Sequence, residues 1–285
     1  MGGEVGVIGL AFPTDLPDLA AALSQEFIFR KGRTLGVDQR FPSVFASGEN
    51  FIVWREKRIP VAAAAARPFV LEGPDGPLSA AMVGLVWTHP DHRGKGFGAQ
   101  VMRGVREIAQ AKKHDVLVLW TSIHDFYRKL GWIDGDRSLF GRLDGKATTR
   151  GQRLIDFTKL DALRAAHQPW RVRRGELGWR SIPVPATEVE LFTTEGGYAL
   201  AGREGTTGFV YEVVGDEAAV RRLGEQLLSA YDRLNVNERV GSVSSVWFEG
   251  QGAQLAPQTQ TMWLPLTEAG KAAAAAAHIS YFDRI

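Results

Sequence analysis

The chain has 285 residues, 45% hydrophobic and 23% charged, which is enough to bury one or two cores. Its formal net charge of +2, with no basic run interleaved with aromatics, argues against a nucleic-acid partner. It has no cysteine, which excludes disulfides and thiolate chemistry, and no apolar run reaches the roughly 18 residues of a membrane span.

Residues 1–13 lack the basic start of a secretory signal, and Gly2 without Ser or Thr at position 6 fails the myristoylation pattern, so a cytoplasmic protein is expected. Residues 4–10 predict a strand. Thr14 and Asp15 can cap a helix that places Leu16, Leu19, Leu23 and Phe27 on one face. Residues 32–48 read as irregular and polar. Residues 51–54 and 59–71 predict strands, the second through the run Ala62 to Ala66, whose small side chains suggest close packing. Gly73-Pro-Asp-Gly-Pro77 is a turn that pairs this strand with residues 79–87 as a hairpin. A loop rich in glycine follows, then an amphipathic helix from Phe97 with Val101, Val105 and Ile108 on one side. Gly104 inside it points to close packing. Residues 115–120 are continuously apolar, as for a buried parallel strand. Residues 124–130 predict a short helix ended by Gly131, and residues 132–133 with 138–143 suggest a hairpin.

The second half repeats the theme. Residues 156–167 read as a helix, and residues 189–192, 198–201, 208–214 and 242–248 as strands. Asp216 caps a helix running through Leu223 and Leu227 to Leu234. The alanine run 272–277 favours helix.

The stretch with the strongest chemical signal is Val86-Trp87-Thr88-His89-Pro90-Asp91-His92-Arg93-Gly94-Lys95-Gly96-Phe97-Gly98-Ala99. The glycines remove side chains where a ligand can approach the backbone, and the first N–H groups of the helix favour an anion. A Walker A loop fails, because Gly96 follows Lys95 where Ser or Thr is needed. The dinucleotide pattern fits by letters only: Thr88 to Arg93 separate strand from glycines, and the expected acid is misplaced at Asp115. Arg93-x-x-Gly96-x-Gly98 instead resembles the coenzyme A loop of the GNAT N-acetyltransferase superfamily. Tyr127-Arg-Lys-Leu-Gly131-Trp132 resembles that family's Tyr-x-x-x-Gly-Phe. Trp120 and Ile123 depart from its Asn and Ala positions, so the resemblance carries over no contact to the coenzyme through that Asn.

The resemblance implies an α/β fold of the mixed-sheet, α+β kind: a GNAT domain over residues 1–148 and a degenerate GNAT-like domain over residues 149–285. In the second, Gly215-Asp216-Glu217 replaces the glycine series, and its acids would repel a pyrophosphate. The layout is similar to the tandem, enhanced-intracellular-survival type of acetyltransferase without its third domain. The implied activity is transfer of an acetyl group from acetyl-CoA to a primary amine on a small molecule or protein, with no metal. The alternative is a catalytically silent acyl-CoA-binding or regulatory module. The resemblance assigns Val86, Trp87 and Thr88 to the acetyl and pantetheine groups, Arg93, Gly94, Lys95, Gly96, Phe97, Gly98 and Ala99 to the pyrophosphate, and Ser122 to the cofactor as well. It makes Tyr127 the general acid. The base is open among Glu26, Glu49, His124, Asp125 and water, with His89 and His92 read as surface residues. In tandem relatives a C-terminal carboxylate can help, a position that falls here to Ile285. One coenzyme per chain is expected, with the second half forming a wall of the acceptor site or an oligomer interface.

Overall fold

The computed structural model describes residues 6–153 and 157–285. Its strands are β1 (Val7–Leu10), β2 (Phe51–Glu56), β3 (Ile59–Gly73), β4 (Gly76–Thr88), β5 (Val116–Trp120), β6 (Ile133–Asp134), β7 (Ser138–Asp144), β8 (Gln152–Arg153), β9 (Arg171–Val172), β10 (Glu188–Thr194), β11 (Gly197–Glu204), β12 (Thr207–Val214), β13 (Arg233–Arg239), β14 (Ala256–Pro257) and β15 (Thr261–Pro265). Its helices are α1 (Leu16–Phe27), α2 (Val37–Arg40), α3 (Pro42–Phe45), α4 (Phe97–Ala111), α5 (His124–Arg128), α6 (Thr158–His167), α7 (Glu176–Trp179), α8 (Glu217–Ala230), α9 (Val243–Gly250) and α10 (Glu268–Ala276). The expected starts of the first strand at residue 4 and of the α6 helix at residue 156 lie outside the described residues.

Two mixed sheets result. The first runs β1-β2-β3-β4-β5-β15-β6, with β9 pairing β3, and the second runs β14-β7-β13-β12-β11-β10-β8. Two strands cross reciprocally: β7, before residue 148, lies in the second sheet, and β15, after it, lies in the first. The hairpin expected from residues 132–133 and 138–143 does not form. β6 pairs β15, whereas β7 pairs β13 and β14. Short neighbouring apolar runs do not encode their partners, and both partners here are distant in sequence. Residues 242–248, read as a strand, begin helix α9, where Ser242 caps by accepting from the Ser245 N–H. The helix capped by Asp216 ends at Ala230, and Leu234 belongs to β13.

The alanine run explains the layering of the first sheet. Ala62 and Ala64 face α4, whereas Ala63 and Ala65 face α1 to α3, and all four are fully buried. Small side chains on both faces let helices approach the sheet from either side. Gly104 of α4 meets the same demand, since a Cβ there would stand 2.4 Å from Ile8 Cδ1.

Candidate functional site

The site begins where two parallel strands part. β4 and β5 pair only at Ala80↔Val116, Ala81↔Leu117 and Met82↔Val118. Beyond Met82, β4 runs on to Thr88 with its β5 edge open. A bulge sits in this free length: the register against β3 shifts between Ala63 and Ala65, and Leu85 takes a left-handed φ of 50°. The alternation slips there. Val83 and Val86 face α4, whereas Leu85 and Trp87 face the opposite layer. A non-glycine residue held at positive φ stores strain, a common feature of functional positions. Gly84 is the sequence signal for the bulge, since glycine inside a strand marks a bulge or a close backbone approach. The approach is real: a Cβ on Gly84 would lie 2.7 Å from the main-chain oxygen of Ile285.

Main-chain direction can be read along β4. His89 donates its N–H to Val61 O on the β3 side. Hydrogen bonding alternates along a strand, so the neighbouring Thr88 turns its groups to the open edge. Its carbonyl there accepts from Arg93 Nε at 3.2 Å. Trp87 pairs with Ala63, and its ring is buried.

The loop then turns through Gly94 and Gly96, at φ 79° and 82°, conformations that only glycine adopts without cost. Gly96 is the N-cap of α4 and supplies no side-chain acceptor. Gln100 donates to Gly96 O, but among the described residues no partner meets the N–H groups of residues 94–99. Such a terminus favours an anion, through both its main-chain N–H groups and the helix dipole. Phe97 stacks on Trp54 at 5.1 Å and fixes the first turn. Gly98 is open, with Thr88 Oγ1 at 3.5 Å and the Phe126 ring at 3.9 Å from where a Cβ would stand. Ala99 is half-buried, and Lys95 is exposed, with Nζ 3.5 Å from His92 Nδ1.

α5 closes the other side. Phe126 faces Gly98, and Tyr127 packs edge-on to Phe126 at 4.9 Å and to Trp132 at 6.1 Å. Tyr127 is 6% exposed in the cluster with Val83, Met102 and Leu119, and burial pushes its phenol up to about 12. Ser122, after β5, is exposed.

The candidate bases separate by place. Glu26 accepts from Arg93 Nη2 at 2.9 Å and from Arg30 at 2.7 Å, so it ties the loop to α1. Glu49 pairs with Lys112 at 3.6 Å. That is the far end of α4, about 22 Å from its start at 1.5 Å per residue. His124 bonds Asp134 at 2.6 Å, and Asp125 bonds Arg128 at 2.9 Å. Sequence reasoning had no means of finding the Arg93–Glu26 pair, because it joins residues far apart in the chain.

The second sheet carries the same parting. β12 and β13 pair in parallel only from Thr207↔Arg233 to Val210↔Val236, then diverge. The helix between them differs at its start: Asp216 Oδ1 accepts from the Ala219 N–H at 2.8 Å, and Glu217 opens the first turn.

Residues 12–133 match the acetyltransferase (GNAT) domain family. That region is similar to the GNAT domains, a family whose chemistry is acyl transfer. Solved structures extend the likeness in fold over both halves. A GCN5-related N-acetyltransferase from Anabaena variabilis is 15% identical, with 95% of this chain and 75% of that one covered at a TM-score of 0.74. One from Kribbella flavida is 17% identical, covering 95% and 74% at 0.70. Eis1 from Mycobacterium abscessus is 14% identical, covering 95% and 76% at 0.66. At these identities the likeness is one of fold: a GNAT fold followed by a second GNAT-like unit. No curated protein matches the chain significantly.

Proposed function

We propose that the chain transfers an acetyl group from acetyl-CoA to a primary amine, using the gap between β4 and β5. The observation that carries this reading is the row of unpartnered N–H groups at residues 94–99, opening α4 beside the open edge of β4. The fit to a coenzyme pyrophosphate is chemical. Each charge-assisted bond contributes roughly 1.5–3 kcal/mol, so several suffice to hold it. The α8 start is closed to an anion by Asp216 and Glu217. One coenzyme per chain is therefore expected, with residues 1–148 and 149–285 as the two units apart from the exchanged strands.

In this reading Gly94 to Ala99 hold the pyrophosphate, Arg93 braces the loop, and Ser122 lies at the rim. The Val86 to Thr88 segment aligns the pantetheine arm and stabilises the oxyanion formed as the amine nitrogen attacks the thioester carbon. The C–N bond forms, the C–S bond breaks, the amine proton leaves to solvent, and Tyr127 gives its phenolic proton to the departing thiolate and regains one from solvent before the next turnover. The protein is expected to work in the cytoplasm on a small-molecule or protein amine.

The test is calorimetric titration with acetyl-CoA, followed by a thiol-release screen over an amine panel. Binding at one site per chain, lost in Gly96→Val, with amine-dependent thiol release is the expected result. Absence of acetyl-CoA binding by the wild type would overturn the reading. Binding without release on any amine would leave the silent acyl-CoA-binding module.

A further inference from the structure

The parting of β12 and β13 is not filled. It opens on a cavity of about 180 Å³ lined by the diverging strand ends, the turn at Gly215, the start of α9 and the segment around His278. Its lining shares no residue with residues 86–99, Tyr127 or Ile285. The volume is similar to that of a cavity that takes up benzene, so it admits a small molecule but no nucleotide.

Glu238 lines this cavity and is 6% exposed. Its Oε2 accepts from Ser244 Oγ at 2.6 Å and from Ser242 Oγ at 3.3 Å. Its Oε1 is buried without a hydrogen-bond partner among the described residues. An orphaned carboxylate oxygen in the lining calls for a ligand with N–H donors, since leaving such a group unpaired costs about 1–3 kcal/mol. The charges agree. The other acids of the lining, Glu212 and Asp283, are spent on Arg164 and Arg174. Glu238 has no cation within ion-pair reach among the described residues. Burial, with Glu212 adding to it, pushes its carboxyl up to about 7. The other basic side chains of the lining are Arg171, Arg239 and His167, none in an ion pair with Glu238. His278 is kept neutral, since burial and Arg284 push it down to about 3. An anion is disfavoured at this end of the lining by Glu238 itself.

We propose that this second gap binds a small organic cation, an alkylammonium or guanidinium compound without phosphate, whose N–H groups donate to Glu238. The gap that holds the coenzyme in the first unit would thus have been turned to a different ligand in the second. This does not rest on the acetyl-transfer reading, because it uses none of that site.

The test is calorimetric titration of the full chain with n-butylamine and with methylguanidine, at millimolar concentration, without acetyl-CoA. One-to-one binding of at least one probe is expected, tightening as pH rises from 6 to 8 as the carboxyl loses its proton. Glu238→Gln keeps the shape and removes the charge, and should weaken binding about tenfold or more and abolish the pH dependence. Ser244→Ala should weaken it less. Melting curves establish that both variants fold, and their acetyl-CoA titrations should match the wild type. Failure of both probes to bind would overturn the proposal. So would equal binding by wild type and Glu238→Gln, which would place the amine elsewhere, as at the acceptor site of the first unit.

Discussion

Tyr127 is defined by where its phenol sits. Removed from water, it holds its proton with a pKa of about 12, so it remains a donor throughout the neutral and alkaline range. In the proposed reaction it is the acid that protonates the leaving thiolate, a step that general acids accelerate about 10²–10⁴-fold, or about 3–5 kcal/mol. Tyr127→Phe removes one donor and little volume. We expect kcat to fall in that range while acetyl-CoA affinity holds, because the pyrophosphate contacts lie on another element. In the wild type, kcat should not decline from phenol ionisation as pH rises toward 10, since the proton is still in place there. Steady-state kinetics and a coenzyme titration on the same variant check both. An unchanged kcat with chemistry rate-limiting would make Tyr127 a packing residue of the Val83–Leu119 cluster. Loss of coenzyme binding would make it a wall of the pantetheine channel.

At the scale of elements, α4 and α8 are the informative pair. Both follow a strand that parts from its parallel neighbour, and both pack an apolar face on a sheet. They differ at the first turn, where Gly96 leaves the N–H groups free and Asp216 occupies its own. Gly98→Asp should turn the first toward the second. There is room, since the nearest atom to an added Cβ is 3.5 Å away. Replacing a glycine inside a helix, with an acid in the first turn, favours the fold by up to about 1 kcal/mol. Coenzyme affinity should nevertheless drop at least tenfold through repulsion of the pyrophosphate. A variant that melts no lower than wild type yet binds acetyl-CoA as well would sink the helix-terminus account. The sequence exposed this much because glycine spacing, a helical apolar face and a buried strand are all local signals. The bulge at Leu85 was hidden, because a positive φ at leucine comes from the surrounding fold. Residues 242–248 misled because Val243 and Val246 suggest strand, whereas the capping Ser242 and the buried Phe248 belong to a helical period.

At the scale of the molecule, two long-range features hold the chain together, and neither could be read from local patterns. One is an ionic network inside residues 149–285. Arg174 is bidentate to both Glu212, at 3.0 and 2.6 Å, and Asp283, at 2.7 and 2.9 Å. Burial alone would raise Glu212, but Arg174 and Arg164 hold it down to about 2. The folded pKa lies below the usual 4.5, so this stability is present above pH 4.5 and is lost as pH falls toward 2. Arg174→Met would leave two buried carboxylates with only the longer contacts of Arg164 and should cost about 3–5 kcal/mol, read as a lower urea midpoint at pH 7. A midpoint within error of wild type would show that the network contributes nothing net. That same variant should unfold less steeply in acid, because its carboxylates would no longer be held ionised.

The other is the exchange of strands, which joins the two units and predicts what happens when the chain is cut. β15 lies between β5 and β6, and its Trp263 is fully buried against Val116, Val118 and the segment around Ile279. Without it β5 presents a bare apolar edge, a template for aggregation rather than a solvated surface. β7 in turn has all its strand partners, β13 and β14, in the second sheet. A fragment of residues 1–148 would therefore keep every coenzyme contact proposed above and still lack the strand that covers β5 in its own sheet. It would also carry an orphan strand. We expect the fragment to be insoluble or molten when expressed alone, without a cooperative melt and without acetyl-CoA binding. Co-expression with residues 149–285 should restore both, because each piece supplies the strand the other lacks. A soluble 1–148 fragment that melts cooperatively and binds acetyl-CoA would show that the first unit closes its sheet unaided, and that the exchange is incidental to the site.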